Sequence, residues 1–394
     1  MQCRQARWFL ALAVALVGFA LSGRAEAYPW MIRHEYTSCA GCHTDPSGGG
    51  LLTAYGRTIA ATALSSPLGL PQGDDPGKAM NFLFGAVEMP EELDAQAWVR
   101  SGFLFTKSGP ATDSRILLMR GDVGAHMHAG IFRASAQVGG ASKDGRALSQ
   151  EAWVTGSLTG PNLVSREHWA GVAVADDAVL IRAGRLNLPF GIRGVEHNAW
   201  VRQETRTDTN QHQQHGVAAS YTGEKLRGEV MGVAGNFQLR PDAYRERGYS
   251  AFAEYAFLPE LALGVSSNIT HASADVATRK AIFRQAHGVF ARVVPVKPLV
   301  LLAEANAIVR SPKGDNASVD AVGMVQADVE PWRGIHFVGA AELLTDSRAE
   351  STLYGGWLGG WVFLFAHMDA RLDLIQRGGN GSQTAVLFQL HGWL

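Results

Sequence analysis

The chain has 394 residues, 46% of them hydrophobic, and its 35 Lys and Arg nearly balance 36 Asp and Glu. A formal net charge of -1 gives no reason to invoke nucleic acid as a partner. Charged residues make up only 18% of the chain against 45 glycines, and no stretch after the N-terminus reaches eighteen apolar residues, which excludes a helical membrane anchor.

Residues 1–27 read as a secretory signal peptide, with Arg4 and Arg7 before the apolar run from Phe9 to Leu21 and a small-residue site at Ala25 and Ala27. Cleavage there removes Cys3 and leaves Cys39 and Cys42 in an exported chain. Residues 28–94 then read as a small, mostly helical segment and its linker. Within it, TSCAGCHTDPSGGG from Thr37 to Gly50 carries the C-x-x-C-H spacing of covalent c-type haem attachment. Cys39 and Cys42 take the two thioethers and His43 the proximal iron position. A disulfide across two intervening residues removes little chain entropy and leaves His43 without a role. A zinc site needs further ligands at close spacing, for which only His34 is near.

The sixth iron position decides between electron transfer and ligand chemistry. Met31 and His34 upstream, and Met80 and Met89 downstream, are the nearest donors, of which His34 is favoured. In LLTAYGRTIAATAL, Leu51, Leu52, Tyr55, Ile59 and Leu64 recur at helical spacing and predict a helix that packs on the porphyrin or on its own small core. Arg57 on that helix is a candidate for a haem propionate, or else a solvent-facing arginine. SSPLGLPQGDDPGK then reads as a linker.

From residue 95 to 394 the period changes to two. In MVQADVE, Val325, Ala327 and Val329 alternate with Gln326, Asp328 and Glu330; in ARLDLIQR, Leu372 and Leu374 alternate with Arg371 and Asp373. LLAEANAIVR and the closing TAVLFQLHGWL read alike. Such runs predict an all-β, transmembrane antiparallel barrel of about 16 strands, bracketed at 14 to 18. A sandwich is the competing fold, but roughly 300 residues of continuous meander would divide into several sandwich domains. An even strand number puts both barrel termini in the periplasm, and the N-terminal segment at the periplasmic mouth or inside as a plug, the plug being preferred.

The stretch from Asn187 to Gln214 is the longest without alternation. Counting strands places it on the periplasmic side, whereas its length marks an extracellular or lumen-folded loop, and length is the stronger guide. His197, His212 and His215, with Glu196, Glu204 and Asp208, are candidate ligands for a transient metal ion there, or a solvated loop. His126 and His128 lie two apart and so share one face of a strand, as metal ligands or as ordinary lumen residues. No hydrolase, phosphate-loop or metalloprotease motif is present.

The leader, the block YPWMIRHEYTSCAGCHTDPSGGGLLTAYGR and the barrel together resemble the fused outer-membrane monohaem cytochrome-porins of the iron-oxidising type. VLIRAGRLNLPFGIR is similar to a segment of phosphate-selective porins. The resemblance implies one covalent haem c in an outer-membrane barrel of a Gram-negative bacterium, passing electrons between an extracellular donor or acceptor, iron among them, and a periplasmic carrier such as a soluble cytochrome. Outer-membrane lipid is the other implied partner. An apolar band about 25 Å tall means that one haem at one end cannot bridge the two aqueous phases, so it lies inside the lumen or hands over to a partner that enters. The alternatives are a solute porin with a haem-bearing plug or sensor, and a haem enzyme with an open sixth position.

Overall fold

The computed structural model describes residues 29–66, 82–87, 89–144, 159–194, 196, 199–209, 212–237, 241, 243–379 and 381–394. The signal peptide, most of the linker after Ser66, Met80 and His197 lie outside the described residues. Sixteen antiparallel strands form a closed barrel. They are β1 (Leu93–Ser108), β2 (Ala111–Ala129), β3 (Phe132–Asp144), β4 (Thr159–Val174), β5 (Val179–Leu186), β6 (Gln214–Thr222), β7 (Leu226–Gly235) and β8 (Arg247–Leu258). The second half comprises β9 (Leu261–Ala272), β10 (Ile282–Val296), β11 (Leu299–Pro312), β12 (Ser318–Trp332), β13 (Ile335–Asp346), β14 (Ser351–Phe365), β15 (Met368–Gly378) and β16 (Gln383–Trp393). β1 closes on β16 in a register that sets Trp98 opposite Trp393 and Arg100 opposite His391.

Alternation explains the wall. Along β12 the even positions from Ser318 to Glu330 are buried, whereas Val319, Val325 and their neighbours in the same phase face out. Leu372 and Leu374 of β15 are each about half exposed, while Arg371 and Asp373, which alternate with them, are buried. Aliphatic side chains thus cover the outside and charged ones the inside, the reverse of a soluble domain and the pattern of a barrel bathed in lipid. Among the described residues no helix is long and apolar enough to cross a membrane, so any crossing is made by strands.

The two ends differ. At the end that holds both barrel termini the connections run two to four residues, as at 130–131, 259–260, 297–298 and 366–367. The opposite end carries the long ones, 187–213, 236–246 and 273–281. Short turns with the termini mark the periplasmic end of such barrels. The 187–213 connection follows β5, an odd strand, and so lies at the far end; the periplasmic placement from strand counting is corrected by one strand, and the length rule stands.

That connection does not project outward. It crosses the lumen, where a short helix, α2 (Trp200–Thr205), reaches the opposite wall. The Ile192 amide donates to Glu304 of β11 at 2.9 Å and the Trp200 amide to Glu342 of β13 at 2.7 Å. Arg202 pairs with the same Glu304, and Arg371 of β15 donates to Glu196 at 2.9 Å. Near the rim, Arg206 joins Glu246 at 2.8 Å and Asp275 at 2.6 Å, tying this loop to the two neighbouring long ones.

The lower half of the lumen is filled by residues 29–66. A 3-10 turn, Pro29–His34, leads to an irregular stretch, then to α1 (Ala54–Ile59) and a π turn, Ala60–Leu64. The segment is therefore less helical than its sequence predicts. Leu51 and Leu52 precede α1 because Thr53 is extended and its hydroxyl accepts the Gly56 amide, which starts the helix at Ala54. Trp30, Met31, Ile32, Leu51, Ala60 and Leu64 form one buried cluster with inward Trp98, Phe252, Phe290, Trp361, Phe363 and Trp393 of the wall.

Candidate functional site

The C-x-x-C-H stretch folds as a single helical turn. The His43 amide donates to the Cys39 carbonyl at 3.0 Å, so positions 39, 42 and 43 fall on neighbouring sides of that turn. An antiparallel bridge between His43 and Leu52, with the Thr53 amide on the Cys42 carbonyl at 2.8 Å, clamps the turn to the start of α1. Gly56 sits so close that a Cβ there would lie 2.4 Å from the Cys42 carbonyl oxygen. Gly56→Ala is expected to force the helix off the turn and lower the melting temperature, at a cost of about 1–3 kcal/mol. Gly360, with nothing within 4 Å of a Cβ, is the control: Gly360→Ala should leave the melt unchanged.

Cys42 and His43 line a cavity of about 180 Å³ between the segment and the wall. Cys39 lies just beyond Gly48, which borders the cavity: a Cβ on Gly48 would be 3.2 Å from Cys39 Sγ. Both thiols are buried and no disulfide joins them. Arg227 of β7 donates to Cys39 Sγ at 3.1 Å and is held in turn by Glu254 at 2.8 Å. The rest of the lining divides by chemistry. Met31, Leu52, Ile59, Leu64, Trp98 and Phe363 supply apolar surface; Arg100, Arg120, Arg166 and Arg193 supply positive charge, with Glu167 as the acidic group.

The lining of the cavity fits a haem c on two counts: Cys42 and His43 of the C-x-x-C-H turn face it, and apolar surface is joined to guanidinium groups suited to propionates. Cys39, Cys42 and His43 would hold the group.

Other expected ligands fall elsewhere. His34 is at the short-turn end of the barrel, its Nε2 3.2 Å from Glu330 Oε2, and is not among the residues that line the cavity. Arg57 is buried, donates to Asp94 at 2.7 Å and is not among the residues that line the cavity. Met89 precedes β1 and is also outside it. His126 and His128 do share a face, stacked at 6.3 Å, but beside Trp169 and not on the cavity.

The described members of the expected loop metal set are dispersed. Glu204 pairs with Arg310, Glu196 with Arg371, and His215 stacks on Phe237 at 4.2 Å. Among the described residues no three His, Cys, Asp or Glu gather as a metal site.

Sequence reasoning missed the charges that seat the segment. Asp45 receives Arg182 Nη2 at 2.8 Å and Asn187 Nδ2 at 2.9 Å, and the same Arg182 nitrogen reaches Glu229 at 2.7 Å. Burial alone would push the Asp45 carboxyl up, but the guanidinium groups of Arg182 and Arg193 outweigh it and hold the pKa down at about 2. Arg33 pairs with Asp328 of β12, and Arg193 donates to Ser47 at 2.7 Å. The signal was a charged Arg182 inside the mostly apolar VLIRAGRL; its partner is invisible because Asp45 is 137 residues away.

No family model and no curated protein matches the chain. Solved structures do match in fold. A loop-deletion mutant of OmpT, an outer membrane protein of Vibrio cholerae, superposes with a TM-score of 0.60 at 11% identity, covering 77% of this chain and 99% of that one. An anion-selective porin from Comamonas acidovorans gives 0.55 at 10% identity, covering 77% and 99%. The outer membrane channel DcaP of Acinetobacter baumannii gives 0.53 at 10% identity, covering 78% and 99%. The chain thus has the fold of porin-like outer-membrane barrels, and the share covered is about what the barrel alone makes up.

Proposed function

We propose that this chain is an outer-membrane electron-transfer protein whose lumen-held N-terminal segment carries one covalent haem c, in the manner of the fused cytochrome-porins. The observation that carries the reading is the C-x-x-C-H turn inside the barrel, with Cys42 and His43 on a cavity lined by apolar side chains and arginines. When bound, the haem supplies a one-electron iron couple. The residues of the chain would do the rest: Cys39 and Cys42 would tether the group, His43 would ligate its iron, and the arginines of the cavity would offset propionate charge. The segment and the described part of the 187–213 loop occupy the lumen from opposite ends. Electrons would pass from an extracellular donor such as iron(II) to a soluble periplasmic carrier docking at the short-turn end.

A second reading, a solute channel with a haem-bearing plug, is favoured by the likeness to diffusion porins and by the arginine-rich lining. Proteoliposomes separate the two. With a soluble cytochrome inside and iron(II) outside, the first reading expects internal reduction by the wild type and none by a Cys39→Ala, Cys42→Ala variant, with no iron reaching an entrapped chelator. Iron reaching the chelator equally in both proteins would favour the channel.

A further inference from the structure

We infer that His391 is the sixth ligand of the iron, opposite His43; the inference rests on the haem reading and deepens it. His391 lies in the inward phase of β16 and lines the same cavity as Cys42 and His43. Its Nδ1 is 2.9 Å from Asp369 Oδ2, and Asp369 Oδ1 accepts the Trp361 indole N–H at 2.9 Å. A carboxylate at Nδ1 fixes the proton there and leaves the lone pair on Nε2. That Nε2 is buried with no hydrogen-bond partner among the described residues. This is how metal-ligating histidines are arranged: one ring nitrogen donates to a carboxylate, and the other faces the metal.

Arg100 Nη2 also approaches Nδ1, at 3.3 Å. The carboxylate is closer and, unlike the guanidinium, accepts a proton, so it sets the tautomer. Met31 shares the cavity, but it belongs to the apolar cluster, where its burial needs no iron to explain it. Histidine on both sides closes the iron to small ligands and gives a lower potential than a methionine–histidine pair, which suits electron transfer over peroxidase chemistry.

The test is the spin state of the purified holoprotein in detergent, read by absorption, electron paramagnetic resonance and near-infrared magnetic circular dichroism. The wild type is expected to be low-spin with a bis-histidine signature. His391→Ala should become high-spin and bind carbon monoxide when reduced, and added imidazole should restore the low-spin spectrum; Met31→Leu should leave the wild-type spectrum intact. His391→Met, which keeps bulk at the site if the alanine variant fails to fold, should show a methionine–histidine spectrum and a raised potential. A high-spin wild type, a low-spin spectrum unchanged in His391→Ala or His391→Met, or conversion by Met31→Leu would overturn the assignment. Intact mass and a pyridine haemochrome assay run alongside: wild-type protein without covalent haem overturns the haem reading itself, a result distinct from haem present with a different ligand.

Discussion

Replacing Arg182 by Met is expected to unseat the N-terminal segment, with a large fall in melting temperature and a several-fold rise in single-channel conductance. The side chain is 1% exposed, and one of its nitrogens bridges Asp45 of the segment and Glu229 of the wall. Its loss leaves two buried carboxylates without their cation, a change that costs about 3–5 kcal/mol when one partner of a buried pair is removed. Adding Asp45→Asn and Glu229→Gln to the same variant removes the stranded charges and should recover most of the lost stability. If the single variant melts and conducts like the wild type, the bridge does not hold the segment.

The same site sets a pH dependence whose sign follows from Asp45. Its carboxyl is held at about 2 in the folded protein against an ordinary value of 3.8. The ionised form is therefore the stabilising one: its contribution is complete above the ordinary value and is lost as the pH falls through about 2. Conductance of the wild type should stay low from neutrality to below pH 4 and rise only near pH 2, and Asp45→Asn should abolish that step.

The second large effect is expected from the thiols. A Cys39→Ala, Cys42→Ala chain should lose all covalent haem yet keep the heat-modifiable migration of a folded barrel. No strand pairing involves either residue, and Arg227, which loses Cys39 as a partner, keeps Glu254 through two bonds at 2.8 and 3.1 Å. Visible spectra of denatured protein after acid–acetone extraction measure the covalent haem directly. Colour retained by the double variant would show that attachment does not use these sulfurs.

Much of the fold was legible because alternation is local: Val325 against Gln326 and Asp328, or Leu372 against Arg371 and Asp373, each declare two faces within a few residues. The C-x-x-C-H turn was legible because its residues lie within five positions. What escaped was whatever depends on distant pairing. The fold sets Arg57 beside Asp94 and carries His34 to Glu330, partners that nothing near either residue in sequence announces. His391 was only one more polar residue in an alternating strand. Nothing near it in sequence announces Asp369, Trp361 or the attachment turn, which the barrel gathers from three other stretches of chain.

The seating of residues 29–66 inside the cylinder also imposes an order on biogenesis. The part of the chain translated first is enclosed by strands translated last: Arg33 pairs with Asp328, the Ser66 amide bonds the Phe363 carbonyl at 2.9 Å, and the wall closes only when Trp98 meets Trp393. On the haem reading, the ligation machinery must therefore act on an open chain in the periplasm, before the insertion apparatus zips the final seam. A cell lacking haem at that moment would assemble a sealed, colourless barrel beyond later repair.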